Sequence, residues 1–182
     1  MDNKVQLADK TFEVYLSQEE IELRISGMAR EIGQKYSNGC PLFVVILNGA
    51  FMFAGEFFKS YQHACEVEFV KLTSYIGTES SGEIITCIGI TEEQVKGRDV
   101  IILEDIIDSG LTMDYFIDYL QRLKTNSVQV AALLFKPDNL KKDVNLNYFG
   151  FSIPPKFVVG YGLDYNGLGR NLTSIYQIVN AQ

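Results

Sequence analysis

Apolar positions in this chain recur with two periods. Ser17-Gln18-Glu19-Glu20 has the form of a capping box, and Ile21, Ile25, Met28 and Ile32 then follow at spacings of four, three and four, one stripe along a helix. Leu42 to Leu47 is an uninterrupted apolar run that predicts a buried strand, with Asn48-Gly49 as a turn and Ala50 to Tyr61 as a second helix. Glu66-Val67-Glu68-Phe69-Val70-Lys71-Leu72 alternates and Glu83 to Ile90 is β-rich, so two strands flank the polar loop Gly77 to Gly82. Val100 to Leu103, entered through Gly97-Arg98-Asp99, predicts a strand covered on both faces. A helix from about Thr112 to Lys124 follows, then strands at Val128 to Phe135, Phe157 to Leu163 and Ile175 to Val179. Strand-helix-strand repetition predicts an α/β fold with a parallel sheet covered on both faces and ligands beyond the strand C-termini. No linker, low-complexity tract or internal repeat divides the chain, so residues 1–182 read as one domain.

Composition changes this picture little. With 182 residues, 47% of them hydrophobic, the chain can bury a core without disulfides. Cys40, Cys65 and Cys87 are odd in number and fit neither a disulfide framework nor a zinc pattern, as expected of small buried residues in a reducing cytoplasm. Met1-Asp2-Asn3-Lys4 leads into polar residues, and no apolar run approaches a membrane span, so a cytoplasmic protein is expected. Charge matters more. Sixteen basic and 23 acidic residues give a net charge of −7, which repels nucleic acid unless a basic face is segregated, and the sequence shows none. His63, the single histidine, lies in a polar turn and is expected to be exposed rather than catalytic.

The chemistry concentrates in Val100-Ile101-Ile102-Leu103-Glu104-Asp105-Ile106-Ile107-Asp108-Ser109-Gly110-Leu111-Thr112. A buried strand is followed by acids and then by a small residue, a close-approach glycine and a hydroxyl. Such a turn lets backbone N–H groups at a helix start surround a phosphate. Glu104 and Asp105 beside it would repel a bare phosphate, so they suit ligand hydroxyls or a bound divalent cation. An acidic strand end followed by an ordinary helix cap is the blander reading, and Asp108 alone could be a capping aspartate. Two other phosphate fingerprints fail: Gly77 to Gly82 has the Walker spacing, but Glu83 stands where the lysine belongs. Gly167-Leu168-Gly169 opens a dinucleotide fingerprint, but Leu172 stands where the third glycine belongs.

The Val100 to Thr112 segment resembles the signature of the phosphoribosyltransferases, which bind 5-phosphoribosyl-1-pyrophosphate. Phe135-Lys136-Pro137-Asp138 and Lys156 to Asn166, through Arg170-Asn171-Leu172, resemble the purine-recognition end of hypoxanthine-guanine phosphoribosyltransferases of bacterial type. Leu47-Asn48-Gly49-Ala50 and Ser74-Tyr75 resemble that family's pyrophosphate loop and mobile catalytic loop, so the likeness runs from about residue 12 to 179. The resemblance implies a type I phosphoribosyltransferase-like fold: five parallel strands flanked by helices, with a small hood from about residues 1–15 and 150–182. It implies transfer of phosphoribose from phosphoribosyl pyrophosphate to N9 of a 6-oxopurine, yielding IMP or GMP and pyrophosphate, by a homodimer or homotetramer.

Residue roles follow from the same resemblance. Glu104 and Asp105 bind ribose hydroxyls, directly or through Mg2+, while Ile107, Ser109, Gly110, Leu111 and Thr112 line the 5-phosphate. Asp108 sits beside the purine imidazole nitrogen as proton acceptor, and Ser74 and Tyr75 close over the reacting centre. Leu47, Asn48 and Gly49 turn backbone N–H groups toward pyrophosphate through a cis peptide between Leu47 and Asn48. Many relatives have lysine at the place of Asn48, so only the backbone role carries over. Arg170 contacts pyrophosphate, Lys136 points at the purine 6-position, Phe157 stacks on the base, Val158 lines it, and Asp164 serves the purine end and a second magnesium. A non-enzymatic regulator sensing phosphoribosyl pyrophosphate is the alternative on this fold; it would show the basic face that is missing here.

Overall fold

In the computed structural model, which describes residues 3–76 and 83–179, the elements follow β1 (Lys4–Leu7), β2 (Lys10–Leu16), α1 (Gln18–Lys35), β3 (Leu42–Leu47), α2 (Phe51–Ser60), β4 (Glu66–Ile76) and β5 (Glu83–Ile88). They continue with α3 (Glu92–Val95), β6 (Asp99–Ile107), α4 (Leu111–Arg122), β7 (Ser127–Phe135), a 3-10 turn (Pro137–Asn139), β8 (Tyr148–Ser152), β9 (Val158–Val159) and β10 (Ile175–Ile178). The capping box forms, with Glu20 N–H donating to Ser17 Oγ at 3.3 Å and Ser17 N–H to Glu20 Oε2 at 2.9 Å. The apolar stripe of α1 is fully buried at Ile21, Ile25, Met28 and Ile32. Each such side chain contributes about 1.5–3 kcal/mol by leaving water.

A six-stranded sheet runs β5-β4-β3-β6-β7-β8. β4, β3, β6, β7 and β8 are mutually parallel, and β5 adds an antiparallel edge strand. Because side chains alternate between faces, Phe43, Val45, Ile101 and Leu103 pack under α1 and α2, while Leu42, Val44, Val100 and Ile102 pack in the core that includes Phe116 and Leu120 of α4. That double burial is why β3 reads as an unbroken apolar run. A second, antiparallel sheet joins the two ends of the chain in the order β1-β2-β10-β9.

Three expectations change. β6 does not stop at Leu103 but continues through Glu104 and Asp105 to Ile107, pairing Ile106 with Leu134 and Ile107 with Phe135 of β7. β8 belongs to the main sheet, so residues 150–152 lie there and not in the hood. The strand expected at Phe157 to Leu163 shrinks to Val158–Val159, since Gly160, Tyr161 and Gly162 all have positive φ, which strands do not accommodate. The polar loop Gly77 to Gly82 lies outside the described residues. No helix among the described residues is long and apolar enough to cross a membrane.

Candidate functional site

β6 sits at the centre of the sheet, and its pairing with β3 ends at Val45 and Leu103. The end of β6 therefore projects past β3 and leaves Asp105 facing the loop at 47–49, while Glu104 lines the turn that leads into α4. Asp105 Oδ1 accepts from its neighbour Ile106 N–H at 2.8 Å. Its other oxygen fills the space beside Gly49, where a Cβ would lie 1.7 Å from Asp105 Oδ2. Leu47–Asn48 is a cis peptide, as the resemblance implied, and Asn48 is exposed. On its far side the loop meets the hood, where a Cβ on Gly162 would lie 1.9 Å from Gly49 O. Glycines thus set a three-layer contact between the acidic strand end, the loop and the hood.

After Ile107 the chain turns through Asp108 and Ser109 into α4. Gly110 is the N-cap, with φ 77° and no side-chain cap. Leu111 N–H reaches only Ser109 Oγ, at 3.5 Å, so the N–H groups at the start of α4 are left largely free to face an anion. Gly110 is also required by space, since a Cβ there would lie 2.5 Å from Lys142 O. Glu104, Ile106, Ile107, Asp108, Ser109, Gly110, Thr112 and Met113 line a cavity of about 140 Å³ at this turn.

Asp108 is not a helix cap. Its Oδ2 accepts from Lys136 Nζ at 2.7 Å and its Oδ1 from Asn139 Nδ2 at 2.7 Å. Lys136, at the end of β7, is 7% exposed, which removes the reading of a solvated surface lysine. Burial pushes the Asp108 carboxyl up, but hydrogen bonds from Lys136 and Asn139 and the Lys136 charge outweigh it and leave it below its ordinary value. The opposite holds on β6. Burial first, and then the Asp105 charge, push Glu104 well above the ordinary glutamate value; burial also raises Asp105, against the Ile106 N–H and the Arg170 charge. Among the described residues Glu104 Oε2 is shut off from solvent and has no hydrogen-bond partner. A buried oxygen of this kind fits a site that a cation or a ribose hydroxyl completes.

The hood supplies the rest. Arg170 donates to Gly162 O at 2.8 Å and pairs with Asp164 Oδ1 at 2.5 Å, while Asp164 Oδ2 accepts from Gly167 N–H at 2.8 Å. Glu104, Asp105 and Asp164 do not form one cage: among the described residues no group of three or more His, Cys, Asp or Glu side chains converges on a point. Magnesium is commonly held by only one or two carboxylates together with substrate phosphates, so the β6 pair still fits it. Phe157 is 47% exposed, with its ring against Phe12 and Tyr165, and Val158 is buried in the hood sheet. Ser74 and Tyr75 lie within β4, opposite Ile85 and Ile84 of β5, rather than in a loop. His63 is exposed and its ring meets the edge of Tyr61.

Sequence reasoning passed over Asn139 and Gly162. An asparagine after Pro-Asp is ordinary turn composition, and only the fold brings it to Asp108. Gly162 was visible in Gly160-Tyr161-Gly162, but its contact with the loop at 49 is long-range.

The sequence profile of the phosphoribosyl transferase domain matches residues 12–166. The hypoxanthine-guanine phosphoribosyltransferase of Bacillus subtilis is 39% identical over 163 residues, covering 89% of this chain and 90% of that protein. The hypoxanthine phosphoribosyltransferase of Escherichia coli is 35% identical over 171 residues, covering 93% and 96%. Among solved structures, a hypoxanthine phosphoribosyltransferase from Staphylococcus aureus superimposes with a TM-score of 0.83 at 36% identity, covering 92% of this chain and 91% of that one. With the acidic strand end, the open helix start and the cis peptide loop all in their expected order, the chain belongs to the phosphoribosyltransferase family, in the branch of the hypoxanthine-guanine enzymes.

Proposed function

We propose that this protein transfers the 5-phosphoribosyl group of phosphoribosyl pyrophosphate to N9 of hypoxanthine or guanine and releases pyrophosphate. The observation that carries this reading is the pairing of buried Lys136 with Asp108 at 2.7 Å, directly beside the open start of α4. An ammonium only donates, so Lys136 suits a purine 6-oxygen, and an ionised Asp108 suits the proton of an imidazole nitrogen on the same ring. The backbone N–H groups from Ser109 to Thr112, leading into α4, take the 5-phosphate, lined by Ile107. Glu104 and Asp105 take the ribose hydroxyls.

Glu104 and Asp105 would also hold magnesium, which offsets the charge of the departing pyrophosphate when bound. Asp164 is the candidate for a second ion. Arg170, held by Gly162 and Asp164, and the backbone of Leu47, Asn48 and Gly49 face the same leaving group. Phe157 offers one exposed aromatic face for the base, Val158 backs it, and Ser74 and Tyr75 are the candidates for covering the reacting centre and excluding water. Displacing pyrophosphate builds positive charge on the ribose ring, which Glu104 and Asp105 stabilise at short range. A homodimer or homotetramer in the cytoplasm belongs to the same reading. Phe69 and Ile88, 52% and 62% exposed on adjoining strands β4 and β5, support association, which light scattering measures.

The test is product formation. Purified protein with phosphoribosyl pyrophosphate, magnesium and hypoxanthine should release nucleotide and pyrophosphate in equal amounts, measured by anion-exchange chromatography. Tight binding of phosphoribosyl pyrophosphate without nucleotide formation would overturn the enzymatic reading in favour of a regulator.

A further inference from the structure

Asp108 has two hydrogen-bond partners of different kinds. Lys136 must serve two acceptors under the proposed function, because the ammonium that binds Asp108 Oδ2 also faces the purine 6-oxygen. When a purine enters, the Asp108 carboxylate shares that donor and its hold on Oδ2 weakens. Asn139 has no such conflict. Its side chain makes one hydrogen bond among the described residues, from Nδ2 to Asp108 Oδ1 at 2.7 Å. A carboxylate only accepts, so the nitrogen end of the amide is the end that faces it.

The turn carrying Asn139 is itself anchored. Asn139 N–H donates to Lys136 O at 3.2 Å and Leu140 N–H to Pro137 O at 3.3 Å, with Pro137 fixing the entry angle. Immediately afterwards, Lys141 and Lys142 N–H donate to Ser109 O at 2.9 and 3.3 Å. Residues 136–142 therefore brace the Asp108-Ser109-Gly110 turn at two points: the carboxylate of Asp108 and the carbonyl of Ser109.

We propose that Asn139 is a positioning residue for the transfer, holding Asp108 Oδ1 so that the carboxylate keeps its aim at the purine while Lys136 engages the base. This rests on the reading of Asp108 as proton acceptor. Asn139 is part-exposed, so replacing it leaves the core intact.

The experiment is a double-mutant cycle on the full chain with hypoxanthine as acceptor, using Asn139→Ala, Asp108→Asn and the double variant, with Asn139→Asp as an isosteric change that replaces the donor by an acceptor. Loss of a hydrogen bond to a charged group predicts a fall in kcat of roughly tenfold or more for Asn139→Ala. The fall should be larger for Asn139→Asp, with KM for phosphoribosyl pyrophosphate and Tm nearly unchanged in both. In the Asp108→Asn background, Asn139→Ala should have no further effect. A purely structural turn residue would lower activity equally in both backgrounds, and that additivity would overturn the proposal, as would normal kcat in Asn139→Ala. Full turnover in Asp108→Asn alone would remove the base reading and this inference with it, whereas a crippled Asp108→Asn beside a normal Asn139→Ala would remove only the inference.

Discussion

Gly49→Ala should damage catalysis much more than folding, because the space it invades belongs to one carboxylate. A Cβ at residue 49 would lie 1.7 Å from Asp105 Oδ2, 2.4 Å from its Cγ and 3.0 Å from its Oδ1. Ordinary non-bonded contact between heavy atoms is about 3.5–4.0 Å, so the carboxylate has to withdraw by about 1.5–2 Å or the loop has to shift as a unit. The loop is not free to move, since its carbonyl already rests against Gly162 of the hood. Overpacking of this kind costs about 1–3 kcal/mol, which lowers Tm by about 3–10 °C in a chain of this size. A displacement of about 1 Å in a substrate-positioning group can cost about 10²-fold in rate, so kcat/KM for phosphoribosyl pyrophosphate should fall by at least that factor. Gly27→Ala is the control: nothing lies within 4 Å of a Cβ there, and the residue is inside α1. It should raise stability by about 0.4–1 kcal/mol and leave activity alone. Scanning fluorimetry and initial rates on both variants test the reasoning, and Gly49→Ala with wild-type Tm and wild-type kcat/KM would refute it.

Asp108→Asn should retain the fold and lower turnover by about 10²–10⁴-fold, measured as initial rates at saturating substrate; near-normal turnover would reassign the chemistry. Lys136→Met keeps the buried stem while removing the donor, so 6-oxopurine activity should fall at least about tenfold with phosphoribosyl pyrophosphate binding retained, as titration calorimetry and rates together would report. Glu104→Gln tests the cost of the buried acid. Glu104 is raised above the ordinary 4.5, so the native state holds its proton more tightly than the unfolded chain, and ligand-free stability declines as pH rises from 4.5 through the raised value. Above that window Glu104→Gln should raise Tm in the presence of a chelator and shrink the Tm gain from magnesium with phosphoribosyl pyrophosphate. A variant no more stable than wild type at pH 8 would contradict the burial argument.

The main sheet was legible because its strands are buried on both faces and so appear as apolar runs, as β3 does from Leu42 to Leu47. α1 was legible because its cap and stripe are local signals. β6 was read too short because carboxylates look like strand ends; here Glu104 and Asp105 remain in the strand while their partner β3 falls away. β1, β2 and β8 escaped notice because their short, mixed stretches are strands only through partners distant in sequence, such as Tyr148 beside Ala131. The Val100 to Thr112 segment was legible as a motif, and the resemblance put Asp108 and Lys136 at one purine, whereas their direct hydrogen bond and the hold of Asn139 on Asp108 were not legible. Nothing between residues 108 and 136 encodes that meeting except the parallel pairing of β6 with β7.

The most direct measurement is the ratio of kcat/KM for hypoxanthine to that for adenine, determined with purified protein, magnesium and saturating phosphoribosyl pyrophosphate. Adenine presents a 6-amino donor to the Lys136 ammonium, and a site built around a polar contact rejects the wrong partner by roughly 10⁴–10⁵-fold. The account predicts a ratio of that order, collapsing in Lys136→Met. Comparable efficiency on the two bases would contradict it and remove the reason for naming a 6-oxopurine substrate.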